Sequence, residues 1–162
     1  MKSRAMVLAT AAAVLGGWLA GSCAMAAAPA EPAGAAALSK FLEHELETFT
    51  ELEEKGVSAA ELTKRFYWPE AVLTGEGVPK AARSPAEVAA LIGSVGGDVG
   101  VCHHAKYNPI VYSGRVASLI LEYTCHPPAG KPALQFNTIY VWEKRGKDWK
   151  IITEMYVSGS LH

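Results

Sequence analysis

The sequence predicts an α+β domain, and two observations carry that prediction. Residues 38–92 hold three segments with helical apolar spacing or helix-start chemistry, and from Val101 onward the pattern changes to strands paired by short turns. Three helical segments grouped ahead of at least four antiparallel strands segregate helix from sheet, unlike a βαβ alternation.

The first helix is predicted over Leu38 to Lys55. Leu38, Phe41, Leu42, Leu46, Phe49 and Leu52 fall three and four apart and mark one face. Ser39 is the expected cap and Gly56 the expected stop. Glu43, Glu45, Glu47, Glu51, Glu53 and Glu54 fall mostly on the other side and read as a solvated face. Ser58-Ala59-Ala60-Glu61 is a capping box that opens a second helix, expected to run to about Tyr67. Pro69 is expected to end it, since the residue before proline avoids helical angles. Glu70 to Gly75 then reads as a short strand. Ser84-Pro85-Ala86-Glu87 opens a third helix, with proline at its first position. It is expected to stop near Ile92, where Gly93, Gly96, Gly97 and Gly100 predict a loop.

The strand half reads as two hairpins. Val101–Tyr112 and Arg115–Cys125 flank a predicted Ser113-Gly114 turn. Leu134–Glu143 and Trp149–Val157 flank Lys144–Asp148, and His126-Pro127-Pro128-Ala129-Gly130 links the two. Counting outward from Ser113-Gly114 sets Cys102 opposite Cys125 and His104 opposite Tyr123. Side chains so placed lie about 5 Å apart, within disulfide reach. The same count makes this a hydrogen-bonded pair, less usual for a cross-strand disulfide, unless a bulge near Pro109 intervenes. Two separate buried thiols are the alternative.

The start of the chain carries an address. Lys2 and Arg4 precede an uncharged apolar run from Ala5 to Ala20, followed by small residues. That is the layout of a secretory signal. The run is too short and too rich in alanine and glycine for a stable membrane span, which takes about 20 apolar residues. Ala24-Met25-Ala26 and Ala26-Ala27-Ala28 both fit the cleavage rule, and residues 1–26 are read as the signal peptide. A lipid anchor at Cys23 is the alternative, although Leu19 lies one place too early for the usual lipoprotein pattern. Residues 27–37 read as a flexible leader of alanine, proline and glycine, and residues 38–162 as one domain. The expected location is the periplasm or the exterior. Cys102 and Cys125 are then the only remaining cysteines, an even pair in an oxidising compartment.

Charge excludes one class of partner. The chain has net charge −1, and loss of Lys2 and Arg4 leaves 13 basic against 16 acidic residues. No basic patch is present to meet a phosphate backbone, so no nucleic acid is expected.

Certain segments, taken in order, resemble the nuclear transport factor 2-like superfamily, in particular its SnoaL-like members. They are Phe66-Tyr67-Trp68-Pro69-Glu70-Ala71-Val72, Leu73-Thr74-Gly75-Glu76-Gly77, the helix from Ser84, His103-His104, Tyr112-Ser113-Gly114-Arg115-Val116-Ala117 and Gly146-Lys147-Asp148-Trp149-Lys150-Ile151. The chain departs from the family pattern at Pro69-Glu70, where members often carry an acidic pair, and at Gly114-Arg115, where they often carry Gly-Asp. The resemblance implies a cone: a strongly curved antiparallel sheet wrapped around three N-terminal helices, enclosing a mostly apolar pocket. Relatives use such a pocket for isomerisation, epoxide hydrolysis, dehydration or cyclisation, or only for binding, so the fold does not by itself give a function.

The known chemistries fit poorly. Ketosteroid isomerase uses an Asp base with a Tyr and a protonated Asp. Epoxide hydrolysis in this fold resembles an Asp-Arg-Asp relay. The only aspartates here are Asp98 and Asp148, in a glycine-rich segment and a surface turn. An acid or base would be His104, paired with Tyr123, or Glu154. The structural alternatives are a hydrogen-bonded His104 beside the disulfide and an exposed sheet carboxylate at Glu154. Ala117, Leu119, Leu121 and Tyr123 form the more apolar face of their strand and are expected to point into the cone. Tyr67 and Trp68 are expected at its entrance. Asn137 is read as lining the mouth or facing solvent. His103 and His104 alternate across a strand and cannot chelate together; no metal site and no cofactor is expected. The leading expectation is a module binding a small apolar molecule, homodimeric through the outer sheet face. The alternatives are a lyase, isomerase or hydrolase, and an envelope protein-interaction domain.

Overall fold

In the computed structural model the described residues are 34–106, 110–127 and 131–159. The signal peptide, Cys23, most of the leader, the bulge expected near Pro109, Pro128 to Gly130 of the link and His162 lie outside them. Among the described residues no helix is long and apolar enough to cross a membrane.

Three helices pack on one face of a six-stranded sheet. α1 spans Ala35–Glu54, α2 Ala59–Phe66 and α3 Pro85–Val99. The strands are β1 (Tyr67–Gly75), β2 (Val101–Lys106), β3 (Val111–Ser113), β4 (Val116–His126), β5 (Leu134–Arg145) and β6 (Asp148–Ser158). Their order is β1-β6-β5-β4-β2, with β3 also on β4. β1 runs parallel to β6 and the other pairs are antiparallel, so the sheet is mixed rather than wholly antiparallel.

Each helix starts for a local reason, with one difference from expectation. Ser58 accepts from the Glu61 backbone N–H while the Glu61 carboxylate takes the Ser58 N–H, closing the expected box and stabilising α2 by about 1 kcal/mol. At α3 the Ser84 hydroxyl likewise accepts from the Glu87 N–H, but the Glu87 carboxylate takes the Arg83 N–H, so the box is not closed. α1 instead begins at Ala35, so 35–37 belong to the helix and not to the leader. Ser39 is inside it, buried, and donates to Glu43 at 2.6 Å rather than capping.

Two elements depart further. The chain is already extended at Tyr67, so Pro69 sits within β1 and not after a helix. This is tolerated because β1 is an edge strand whose pairing with β6 is interrupted between Tyr67 and Val72. α3 continues through Gly93, Gly96 and Gly97 to Val99, where a loop was expected. A side chain at Gly96 would collide with the Glu53 carboxylate of α1, and one at Gly93 would meet Ala59 of α2 at 3.7 Å. At Gly96 the absent side chain leaves room for the Glu53 carboxylate, which offsets the poor helix propensity of glycine there.

The first hairpin turn has the expected length but is displaced by one residue, and the second is tighter than expected. They are two-residue turns, Gly114-Arg115 and Gly146-Lys147, each led by a glycine with positive φ (57° and 62°). Ser113 therefore pairs with Val116, not Tyr112 with Arg115. The expected pairs farther out are nonetheless present: Cys102 opposite Cys125 and His104 opposite Tyr123. Lys106 faces Leu121 while Val111 faces Ser118, so two more residues lie on the β2–β3 side than on β4. That excess offsets the two-place difference at the turn. Cys102 and Cys125 form a disulfide.

β4 alternates strictly, with Ala117, Leu119, Leu121, Tyr123 and Cys125 buried toward the helices. They join Leu42, Leu62, Phe66, Val88, Trp142 and Ile151 in one core.

Candidate functional site

Beside this core the inner face of the sheet leaves a cavity of about 620 Å³. Its walls come from the C-terminal half of α1, from α2 and α3, and from β1, β2, β4, β5 and β6. Phe49, Leu62, Leu73, Leu91, Ile92 and Phe136 give it an apolar surface.

Its polar centre is built by register. Tyr140 on β5 faces Glu154 on β6, and Leu73 on β1 faces Glu154 from the other side. The Tyr67 hydroxyl donates a hydrogen bond to the Glu154 carboxylate, and Tyr140, paired with Glu154 across the sheet, favours the same carboxylate. Tyr123 and Tyr140 hydroxyls lie 3.0 Å apart. Burial pushes the Glu154 carboxyl up to about 7, against the opposing pull of the hydrogen bonds from Tyr67 and Tyr140. Burial raises Tyr67 and Tyr140 well above the ordinary phenol value, and Tyr123 too is raised by burial, so all three remain donors at neutral pH.

Glu154 faces inward because of one irregularity. Val141 pairs with Thr153 but Trp142 pairs with Ile151, so Ile152 is an extra residue on β6. The bulge turns Ile151 and Glu154 to the same face, which plain alternation forbids. At the far end Tyr156 lies over Gly75; any side chain there would occupy the space of its ring.

The expected site residues divide. Tyr67, Tyr123 and Glu154 line the cavity, as does Cys102 of the disulfide. His104 lies against Tyr123, ring centres 5.5 Å apart, but is not part of the lining. Partial burial lowers its pKa, and Glu47 and Glu43 of α1 pull it back up. Leu119 and Leu121 face inward but are consumed by the core. Asn137 is buried away from the cavity and donates to the Gly159 carbonyl at 2.7 Å. Trp68 lies outside the lining, its indole N–H donating to the Glu143 carbonyl at 3.0 Å and its ring carrying Arg145 at 4.6 Å and Lys150 at 5.4 Å. Two residues of the site were not singled out from sequence: Tyr140, whose signal is its place in the inward alternation Phe136, Thr138, Tyr140, Trp142, and Glu53. Among the described residues no three His, Cys, Asp or Glu side chains converge as a metal site would require.

This architecture is the nuclear transport factor 2-like fold. A ketosteroid isomerase-like protein from Erwinia carotovora atroseptica superposes with TM-score 0.60 at 20% identity, over 78% of this chain and 97% of that one. A nuclear transport factor 2-like protein with a cystatin-like fold from Novosphingobium aromaticivorans gives 0.57 at 15%, over 83% and 95%. A type 2 hexachlorocyclohexane dehydrochlorinase, LinA, gives 0.56 at 15%, over 80% and 90%. Similarity at this level establishes the fold alone. No protein-family model matches the sequence. No curated protein matches it either.

Proposed function

We propose that this domain is exported and binds a small, mostly apolar molecule inside the cone. The observation that carries the reading is the cavity itself. At about 620 Å³ it falls within the usual range for small-molecule sites, and its apolar walls converge on one compact polar group, Tyr67-Glu154-Tyr140. Such a group orients a ligand whose body is held by apolar burial. Export is supported by the signal-like start of the chain and by the disulfide. Lipid attachment at Cys23 is the alternative form of the same location.

The test is native mass spectrometry of the protein from the exported fraction, followed by titration with an apolar fluorophore. A small-molecule adduct, or saturable one-to-one uptake, is expected. Absence of both overturns the binding reading.

A second reading is an enzyme that moves a proton, and one observation favours it: a carboxyl near 7 gives and takes protons readily at neutral pH. Among the candidate bases Glu154 fits better than His104, because it lines the cavity and His104 does not. Two structures of the same fold carry the names isomerase-like and dehydrochlorinase, which accords with this reading at low identity.

We also propose a homodimer through the outer sheet face. Ile139, Met155 and Val157 are exposed there, with Ile139 paired to both Ile120 and Met155. Apolar side chains aligned across three strands suit a second copy of the same face. A protein partner in the envelope would occupy the same surface.

A further inference from the structure

The charges around the cavity have one sign. Glu154 stands on the sheet wall, and Glu53 and Glu54 at the C-terminal end of α1 line the same space. Among the described residues no lysine, arginine or histidine is part of the lining. Glu53 and Glu154 face a common volume, since both act electrostatically on Tyr67 and on Tyr123. Glu53 itself is raised by partial burial and by its neighbour Glu54, as expected where carboxylates crowd without a compensating cation. Around them stand Phe49, Tyr67, Tyr123, Phe136, Tyr140 and Tyr156.

Each ligand class meets this lining differently. An anion would face Glu53 and Glu54, and Glu154 where it is ionised, with no cation among the described lining residues to pair with. A neutral apolar molecule would fit the walls but leave the carboxylates unused. A cation on an apolar body would find counter-charges in Glu154 and Glu53 and aromatic faces for its ammonium group.

We infer that the ligand class is a small hydrophobic amine, protonated at neutral pH, with its ammonium group paired to Glu154 and its body against the aromatic walls. This rests on the reading of the cavity as a binding site and specifies its occupant. The pairing carries a proton with it. Without ligand Glu154 is largely protonated below neutrality, and the described groups facing it are Tyr67, Tyr140, Tyr123, Tyr156 and, across the cavity, Glu53, none of them positive. A bound ammonium favours the carboxylate, so binding near pH 6 expels a proton.

The test uses the mature, oxidised protein and three matched probes: tryptamine, its neutral analogue tryptophol, and the anion indole-3-acetate. Binding is measured by calorimetry at pH 6 in two buffers of different ionisation enthalpy. Tryptamine is expected to bind at least ten-fold tighter than tryptophol, with indole-3-acetate weakest. Close to one proton should be released per tryptamine, and none per tryptophol. Glu154→Gln should bring tryptamine to within about two-fold of tryptophol, and Glu53→Gln should lower its affinity by a smaller factor. Equal or tighter binding of tryptophol or indole-3-acetate overturns the amine inference and leaves the binding site standing. Tryptamine binding without proton release removes Glu154 as its partner. Failure of all three probes, together with failure of the apolar fluorophore, overturns the binding reading as well. The comparison of probes on the unmodified protein needs no variant to fold.

Discussion

Replacing Glu154 by glutamine should make the protein more stable at pH 8 and leave it nearly unchanged at pH 4. The side chain is half-buried against Tyr67 and Tyr140, and that burial pushes its carboxyl up to about 7 in the folded state from an ordinary 4.5. Below pH 4.5 folded and unfolded chains both hold the proton, and the residue costs nothing. Between 4.5 and 7 the unfolded chain has given up its proton while the folded chain keeps it, so stability falls as pH rises. At about 1.4 kcal/mol per pH unit the loss reaches about 3 kcal/mol, and above pH 7 it levels off. Glutamine keeps an acceptor for both phenols and cannot ionise, so the loss is absent in the variant. The assay is urea unfolding of both proteins at half-unit steps from pH 4 to 8, reading the difference in unfolding free energy. The difference should swing toward the variant by about 3 kcal/mol across that window, with its midpoint between 5 and 7; His104 and the other titrating groups are shared and cancel. A difference that stays flat within about 0.5 kcal/mol, or one that swings toward the parent, would refute the buried-carboxyl assignment.

Four further outcomes follow from the same geometry. Tyr67→Phe removes one of the two hydrogen bonds that lower the Glu154 pKa, so the midpoint of the pH-dependent loss should move upward, with about 1–2 kcal/mol of destabilisation at pH 8 by urea unfolding. Reducing Cys102–Cys125, or replacing both by alanine, should lower stability by about 3 kcal/mol, and thiol titration of the denatured mature protein should find no free thiol before reduction. Gly75→Ala places a methyl group in the ring of Tyr156 and should cost about 1–3 kcal/mol in thermal or urea unfolding, while Gly114→Ala, with open space around it, should show only the smaller penalty of its positive φ. Ile139→Lys on the outer face should convert a dimer to a monomer in sedimentation velocity without lowering stability of the monomer.

Much of the fold was legible because its signals are local. The caps at Ser58 and Ser84, the apolar spacing of Leu42 and Leu46, and the strict alternation of β4 each depend on neighbours a few residues away. The pairing of Cys102 with Cys125 was legible too, although the turn it was counted from is displaced. Two residues gained between β2 and β3 restore the register, and an offset of two leaves every side chain on its own face. Where the reading failed, a contact between distant segments overrode a local rule. Gly93 and Gly96 look like a loop until Ala59 and Glu53 are seen lying against α3. Pro69 looks like a stop until β1 proves to be an interrupted edge strand.

The site divides along the same line. The sequence by itself determined that Tyr67, Tyr123 and Glu154 are present in a chain nearly free of aspartate, on elements that fold toward a common interior. It could not determine that the three belong together, or that Tyr140 and Glu53 join them. That was decided by the single extra residue at Ile152, which reverses the faces of β6 and turns Glu154 from solvent to the cavity. A bulge leaves no compositional mark in Trp149-Lys150-Ile151-Ile152-Thr153-Glu154, because its cause is the fit of β6 against β5 and β1. Only that tertiary packing fixes which carboxylates the cavity keeps.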